Sequence, residues 1–326
     1  MRLILTLASL FLRGTALMFA LVGTIAGLAC LGGAFSDRLD ALTHLAPVWL
    51  GCGLVGLVLG VVFAHDVERK AIVGLSLAAV VALGALMAPE LLAAARRPAA
   101  APGAETLKLV QFNVWAENHD PATTLAWIRA QKADVVLLEE GGGTSWRIVK
   151  GLRATYPYSI SCDGKRYCDT WIFSRFPIAQ HRGFYEDHLP LAGAWATLRH
   201  PGGDFTVAAT HFVWPIPAGR QQAQSRLLVG ELQRFPRDDL IVTGDFNSTP
   251  WSWSLRRQDK ALGLERRTRA LASWPTGDFS RVARAPFPLL PIDHVYAGKA
   301  WKTVSVERGP SLGSDHRPVV VTLSRP

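Results

Sequence analysis

About three membrane-spanning α-helices followed by an α/β domain of layered sheets is the architecture this sequence predicts. Three observations predict it. The chain has 326 residues, of which 49% are hydrophobic and only 19% charged, against about 25% charged in an ordinary soluble domain. Charge is also unevenly placed. Residues 1–103 carry seven Lys/Arg and five Asp/Glu, which leaves 28 and 21 for the remainder, net charges of +2 and +7. Beyond residue 106, short β-rich apolar runs alternate with helix-period segments, the pattern of sheets with helices outside. The low charge and 11 Trp exclude a disordered chain, and four Cys over this length exclude a disulfide scaffold.

The predicted membrane segments are 14–36, 45–64 and 71–88, within a membrane domain of residues 1–95. Between Arg13 and Asp37 lie 23 uncharged residues. At about 1.5 Å each they reach roughly 35 Å, enough for a hydrocarbon core of about 30 Å. The first run is too long for the apolar part of a cleaved signal peptide and has no clean small-residue cleavage site. Gly53, Gly56 and Gly60 fall on one side of the second run, a spacing that lets helices approach closely. Pro89 and Glu90 close the third. Arg2, Arg13, Arg69 and Lys70 on one side, against Arg38, Arg96 and Arg97 on the other, place the N-terminus inside and everything after the third span outside. Residues 96–106, rich in Ala and Pro, read as an extended linker.

The second domain, 107–326, is read element by element. LKLVQFNV is a strand, and PATTLAWIRAQK a helix capped by Asp120. ADVVLLEE and TWIFSRFPI are strands. AWATLRH and DFTVAATHF form a hairpin about a Pro-Gly-Gly turn. GRQQAQSRLLVGELQRF is a helix, and DDLIVTGDFN, IDHVYAG and RPVVVTL are strands.

Polar residues at the strand ends carry the chemistry. They are Asn113, Glu140, His211, Asp245, Asn247, Asp293 with His294, and Asp315 with His316. A carboxylate or amide ending an apolar strand is costly to bury unless it is paired or binds a cation. Any one alone reads as a turn or a helix cap. Together, hard oxygen donors without a Cys-x-x-Cys suit Mg²⁺ or Mn²⁺ rather than structural zinc. A His beside an Asp adds a proton-transfer group. The set describes metal-assisted attack of water on phosphorus.

The order N…E…TH…GDFN…D…SDH over residues 107–324 resembles the endonuclease/exonuclease/phosphatase superfamily, the DNase-I-like fold, and within it the bacterial members that follow N-terminal membrane spans. The resemblance implies a four-layer α/β/β/α sandwich with the active site at one end of the sheets. It implies metal binding at Glu140, with Asn113 and Asp315 close to the metal. It implies that His211 contacts the phosphate, that Asp245 orients or deprotonates the attacking water, that Asn247 binds a phosphate oxygen, and that Asp293 orients His316. Glu139 stands where the family motif has Gln, adding a charge beside the site. Trp115 stands where some nucleases have an Asp.

The expected activity is hydrolysis of a phosphodiester or phosphomonoester by a membrane-anchored enzyme. The partners expected are a phosphate-ester substrate, nucleic acid or a phospholipid headgroup, and the bilayer itself; no protein partner is inferable. The alternative is an inactive tethered module that binds phosphorylated ligands or nucleic acid. Residues 256–270, with six basic residues near Trp251 and Trp253, are a nucleic-acid contact, a solvated helix, or a helix whose arginines are attracted to anionic lipid headgroups. Cys162 and Cys168 flank an Asp-Gly pair that favours a turn, so a disulfide is expected. That bond belongs in an oxidising compartment, in agreement with a periplasm-facing domain on a bacterial inner membrane.

Overall fold

The computed structural model describes residues 1–96, 105–163, 168–187, 190–216, 218–280 and 283–325. Most of the expected linker, 97–104, lies outside the described residues. The chain divides into two compact units: Met1–Ala95 with Ile216–Ala218 and Thr249–Arg256, and the remainder.

The first unit holds α1 (Arg2–Gly32), α2 (Asp37–Thr43), α3 (Ala46–Phe63) and α4 (Asp66–Ala95). Of these, α1, α3 and α4 are each long and apolar enough to cross a membrane. Helix α1 begins at Arg2, well before the expected span, and Arg13 stays helical while its guanidinium pairs with Glu68 of α4. Pro89 does not end α4, and Arg256 donates to the Leu86 carbonyl in the preceding turn. Close approach of α1 and α3 rests on glycine. A Cβ on Gly56 would stand 2.7 Å from the backbone nitrogen of Ala20, and one on Gly23 2.8 Å from that of Gly53.

Segment 249–256 is tied into this unit by polar contacts. Asp40, fully buried, accepts from the backbone nitrogens of Trp253 and Ser254, both at 2.7 Å. Such contacts satisfy two donors that a helix start leaves open. The Trp253 indole donates to the Cys30 carbonyl at 2.9 Å. The Thr249 nitrogen donates to His44 Nδ1 at 3.2 Å, and burial lowers the His44 pKa to about 4, keeping that nitrogen an acceptor.

In chain order the second unit begins with β1 (Thr106–Asn113), α5 (Pro121–Ala130), β2 (Val135–Glu139), α6 (Trp146–Arg153), β3 (Tyr158–Ser161) and β4 (Trp171–Ser174). It continues with β5 (Ile178–Gly183), β6 (Ala192–Leu198), β7 (Phe205–His211), α7 (Ala218–Leu232), β8 (Leu240–Asp245) and α8 (Trp253–Leu262), whose first turn belongs to the other unit. It ends with β9 (Glu265–Arg266), β10 (Gly277–Ser280), β11 (Ala283–Ala285), β12 (Asp293–Ala297), β13 (Lys302–Arg308) and β14 (Val319–Ser324). One six-stranded sheet has the order β13-β14-β1-β2-β4-β3 and the other β5-β6-β7-β8-β12-β9, with β10-β11 a separate hairpin. Both are mixed: β1 runs parallel to β2 and β7 to β8, while the remaining pairs are antiparallel.

The two sheets pack face to face. Leu107, Leu109, Val135 and Leu137 of the first sheet share one buried cluster with Val207, Ala209, Ile241 and Val295 of the second. On its other face the first sheet sends Val110, Phe112, Val136 and Leu138 against Ile128 of α5 and Ile148 and Leu152 of α6. Beyond the second sheet, Tyr296 of β12 donates to Asp259 of α8 at 2.7 Å, and Trp195 of β6 stacks edge-on with Phe235 just after α7. This is an α/β sandwich preceded by three long apolar helices, as predicted.

Asp120 caps α5, accepting from the Thr123 nitrogen. The run 170–178 is not one strand. It divides between β4 and β5 on different sheets, because Pro177 has no N–H for a ladder and the Ser174 hydroxyl accepts from the Phe176 nitrogen in a local turn.

Candidate active site

The site follows from strand parity. Along β1 the positions facing the second sheet are Leu107, Leu109, Gln111 and Asn113. The same facing positions read Val135, Leu137 and Glu139 on β2. On β8 they read Ile241, Thr243 and Asp245, and on β12 Ala297, Val295 and Asp293. In each strand the inward face turns from apolar to polar at one end, and cross-strand register puts Asp245 opposite Asp293 and beside His211. Four strands thus deliver their polar ends to one edge of the sandwich.

The side chains meet there. Asn113 Nδ2 donates to Glu140 Oε1 at 2.9 Å and to Asp245 Oδ2 at 3.0 Å. His211 Nε2 lies 3.8 Å from both of those oxygens. His316 Nδ1 is 2.8 Å from Asp293 Oδ2, and its Nε2 is 3.6 Å from Asp245 Oδ2. Asn247 donates from its backbone to Asp245 Oδ1 at 2.8 Å and from Nδ2 to the Phe212 carbonyl. Asp315 accepts from the Trp274 indole on Oδ2, while its Oδ1 is buried without a partner. His294 stands apart from this cluster, on the outer face of β12, with Nε2 2.8 Å from the Ser248 carbonyl. Among the described residues, three of the six non-glycine positions with positive φ are here: Trp115 (57°), Glu140 (55°) and Asn247 (48°). Such strain collects where surrounding structure enforces a function.

Charge is tuned by burial and neighbours. Burial raises Asp245 to about 6, against the opposing pull of His316. Burial would also raise Asp293, but the charge and hydrogen bond of His316 outweigh it and hold this carboxyl below its usual range. Burial would lower His316, yet Asp293 and Asp245 hold it well above an ordinary histidine. The pair is therefore a carboxylate with an imidazolium at neutral pH. Burial, with repulsion from Glu140, raises Asp315.

Glu139 corrects one expectation. It is fully buried, and desolvation with the Asp293 charge lifts its pKa well above normal. It is a neutral acid rather than an added charge, similar in shape and polarity to the glutamine of the family motif. Gln111 Nε2 joins it to Asp293, at 2.9 and 2.8 Å.

Gln111, Ser314 and Trp274 are site residues that the sequence reading missed. Gln111 was legible, being two positions before Asn113 on the same strand face. The Ser314 hydroxyl donates to the Asn113 carbonyl and accepts from the His316 nitrogen, and its place within SDH was a signal. Trp274 lies 41 residues before Asp315 and gave none.

Of the alternatives for residues 256–270, stacking of bases on Trp251 and Trp253 is not open to these side chains. Trp251 is buried, and Trp253 is held by Cys30 and Asp40. Within 256–270, Arg266 and Arg267 are buried and paired with Asp259 and Glu265. Six arginines and lysines close in sequence are thus partly structural. Cys162 and Cys168 form the expected disulfide, with Cα atoms 5.5 Å apart. Their sulfurs, although near Asp169, are consequently not a thiolate pair for a metal.

The sequence model of the Endonuclease/Exonuclease/phosphatase family matches residues 110–316. The chain belongs to that family. Among solved structures, an endonuclease/exonuclease/phosphatase from Bacteroides vulgatus is similar at 16% identity and a TM-score of 0.56, covering 68% of this chain and 100% of its own. One from Beutenbergia cavernae is 21% identical, with a TM-score of 0.52 and coverage of 68% and 72%. A beta toxin structure from Staphylococcus aureus is 16% identical, with a TM-score of 0.50 and coverage of 66% and 99%. At these identities the likeness speaks for the fold. No curated protein sequence matches the chain significantly. Membership in the endonuclease/exonuclease/phosphatase family supports phosphoester hydrolysis in general.

The residues present fit a divalent cation. Five acidic side chains converge on two histidines, and Asp315 Oδ1 is a buried acceptor with no donor. Asp245, Asp293 and His316 also bring ligand atoms within 4.8 Å of one another. That trio is already satisfied by the His316–Asp293 hydrogen bond. Glu140, with its side chain 27% exposed, and Asp315 are the better metal donors.

Proposed function

We propose that the protein is a membrane-anchored phosphoesterase, acting on a phosphodiester or phosphomonoester and dependent on Mg²⁺ or Mn²⁺, whose catalytic domain faces the outside of a bacterial plasma membrane. One observation carries the catalytic reading: Glu140 and Asp245 share the Asn113 amide, Asp245 lies 3.6 Å from the His316 Nε2 that Asp293 orients, and Asp315 beside His316 keeps a buried Oδ1 without a partner. Glu140, Asp315 and Asn113 would hold the cation, which when bound neutralises charge on the phosphate oxygens. Asp245 is a stronger base than an ordinary carboxylate and is fixed by the Asn247 nitrogen, so its Oδ2 aligns water and takes its proton. His316 presents Nε2–H to the phosphate where negative charge grows, and Asp293 holds the imidazolium in orientation through Nδ1. His211 and Asn247 bind phosphate oxygens.

The full-length chain in detergent should hydrolyse a chromogenic phosphodiester with Mg²⁺ or Mn²⁺ and lose at least about 100-fold in EDTA. Plasmid DNA, RNA and sphingomyelin in parallel would report the substrate. Absence of metal-dependent hydrolysis on every substrate would favour the inactive binding module instead.

The topology has its own support. Two candidate spans, α3 and α4, separate Asp40 from the catalytic part of the chain. An even number of crossings would leave both on one side, and the hydrogen bonds from Trp253 and Ser254 to Asp40 support that reading. The disulfide and the basic residues near α1 and α4 favour the outer side. In intact cells, Cys162 and Cys168 should label with an impermeant maleimide only after reduction. Labelling without reductant, and only once the membrane is breached, would place the domain in the cytoplasm.

A further inference from the structure

Past their paired ends, β7 and β8 no longer satisfy each other. His211 lies beside Asp245 in the last parallel register, and the chain then continues from each as an irregular segment, 212–213 and 246–248. Buried backbone groups beyond the end of a ladder need partners from elsewhere. Two glutamines of α7 supply them. Gln221 and Gln224 are three positions apart, so they share one helix face, and they are only 3% and 7% exposed.

Gln221 Nε2 donates to the carbonyls of Val213 at 3.0 Å, Phe246 at 3.0 Å and Asn247 at 3.3 Å. Its Oε1 accepts from the Ser248 hydroxyl at 2.7 Å. Three carbonyls around one end of the amide set its direction, because an oxygen placed there would face three others. Gln224 holds the other polar group of Val213. Its Oε1 accepts from the Val213 nitrogen at 2.8 Å, and its Nε2 donates to the Pro190 carbonyl at 3.0 Å.

This clasp closes around Asn247. With φ at 48°, Asn247 is in the left-handed region, which asparagine tolerates when its surroundings hold it there. Its Nδ2 gives one proton to the Phe212 carbonyl at 2.8 Å, which leaves the second for a phosphate oxygen. The carbonyls on Gln221 belong to Val213, next to Phe212, and to Phe246 and Asn247. One side chain therefore ties together the two segments between which the Asn247 amide is held.

We propose that Gln221 is a positioning residue for the phosphate site, holding the segments after β7 and β8 at the separation that aims the Asn247 amide at a phosphate oxygen. This inference rests on the phosphoesterase reading and adds to it a residue that acts through Asn247.

The test is a calorimetric titration of the full-length chain in detergent with inorganic phosphate and saturating Mg²⁺, with kcat and KM measured on the same samples. Asn247→Ala should weaken phosphate binding about tenfold, the loss of one hydrogen bond to a charged group. Gln221→Met keeps the length of the side chain and removes its polar atoms. It should weaken binding by a similar factor, and the double variant should bind little worse than Asn247→Ala alone. The same non-additive pattern is expected in kcat/KM. The Mg²⁺ concentration for half-maximal rate at saturating substrate should stay that of the wild type, because Asn113, Glu140 and Asp315 stand on other segments. A glutamine that only stabilised the fold would lower the thermal midpoint without this dependence on Asn247. Should Gln221→Met fail to fold, Ser248→Ala is the milder variant, since it removes only the hydroxyl on Oε1. It should cost about threefold in phosphate affinity, and nothing further in the Asn247→Ala background. Wild-type phosphate affinity in Gln221→Met, or in Ser248→Ala where Gln221→Met does not fold, would overturn the proposal, as would losses that multiply with that of Asn247→Ala. A wild-type chain that neither binds phosphate nor hydrolyses any phosphoester removes the phosphoesterase reading and this inference with it. Phosphate binding that is indifferent to Gln221 removes this inference alone.

Discussion

Glu140→Gln is expected to remove nearly all hydrolysis, at least about 100-fold at limiting Mg²⁺, while the protein keeps its fold. The two side chains match in volume, and the amide oxygen can still accept from Asn113 Nδ2, which now donates to Glu140 Oε1 at 2.9 Å. What is lost is a charged oxygen for a hard cation. Activity should partly recover as Mg²⁺ is raised, since the lesion is in affinity. The thermal midpoint without metal should be unchanged or slightly higher, because one of several crowded carboxylates has become neutral. Near wild-type rates at limiting Mg²⁺ would show that Glu140 does not hold the metal.

The Asp293–His316 pair gives the second large effect. His316→Ala should cost about 10²- to 10⁴-fold in kcat, and the Asp293→Ala, His316→Ala double variant little more than His316→Ala alone. The reason is that Asp293 acts through the imidazole, 2.8 Å away, so one loss contains the other. Losses that multiply fully would mean that Asp293 has an independent role. There is a pH signature as well. Asp293 is the foremost charge holding His316 above an ordinary histidine. In Asp293→Asn the imidazolium should lose its proton at lower pH, and the alkaline limb of the pH–rate profile should move toward acid. An unmoved limb would separate the two residues.

The sequence made the strands with polar ends legible because parity is a local property. Leu107, Leu109, Gln111 and Asn113 alternate on one strand, and their common face can be counted without coordinates. The convergence of these ends was legible only through motif order. Asn113 and Asp245 are 132 residues apart, and no local pattern joins them. The ionisation of Glu139 was out of reach for the same reason. Its neutrality follows from complete burial and from Asp293 on another strand, neither of which is encoded near position 139. The short edge strand β3 and the eight-residue α6 carry too few periods for a pattern to register. Trp253 was open to two readings in the sequence, a stacking surface or part of a solvated helix, and its indole is bound to the Cys30 carbonyl across 223 positions.

The hydrogen bonds of Asp40 also have a timetable. Asp40 and its partner Trp253 are 213 positions apart. At 5–20 residues per second, roughly 10–40 s of synthesis separates them. During that interval the loop after α1 has been made, yet the backbone donors of Trp253 and Ser254 do not exist. Until that segment arrives, the Asp40 carboxylate keeps the Thr43 hydroxyl of its own helix, 3.1 Å away, and must take its other donors from elsewhere. A ribosome stalled before residue 253 would expose this intermediate, and its Asp40 region should be open to protease until Trp253 and Ser254 are released.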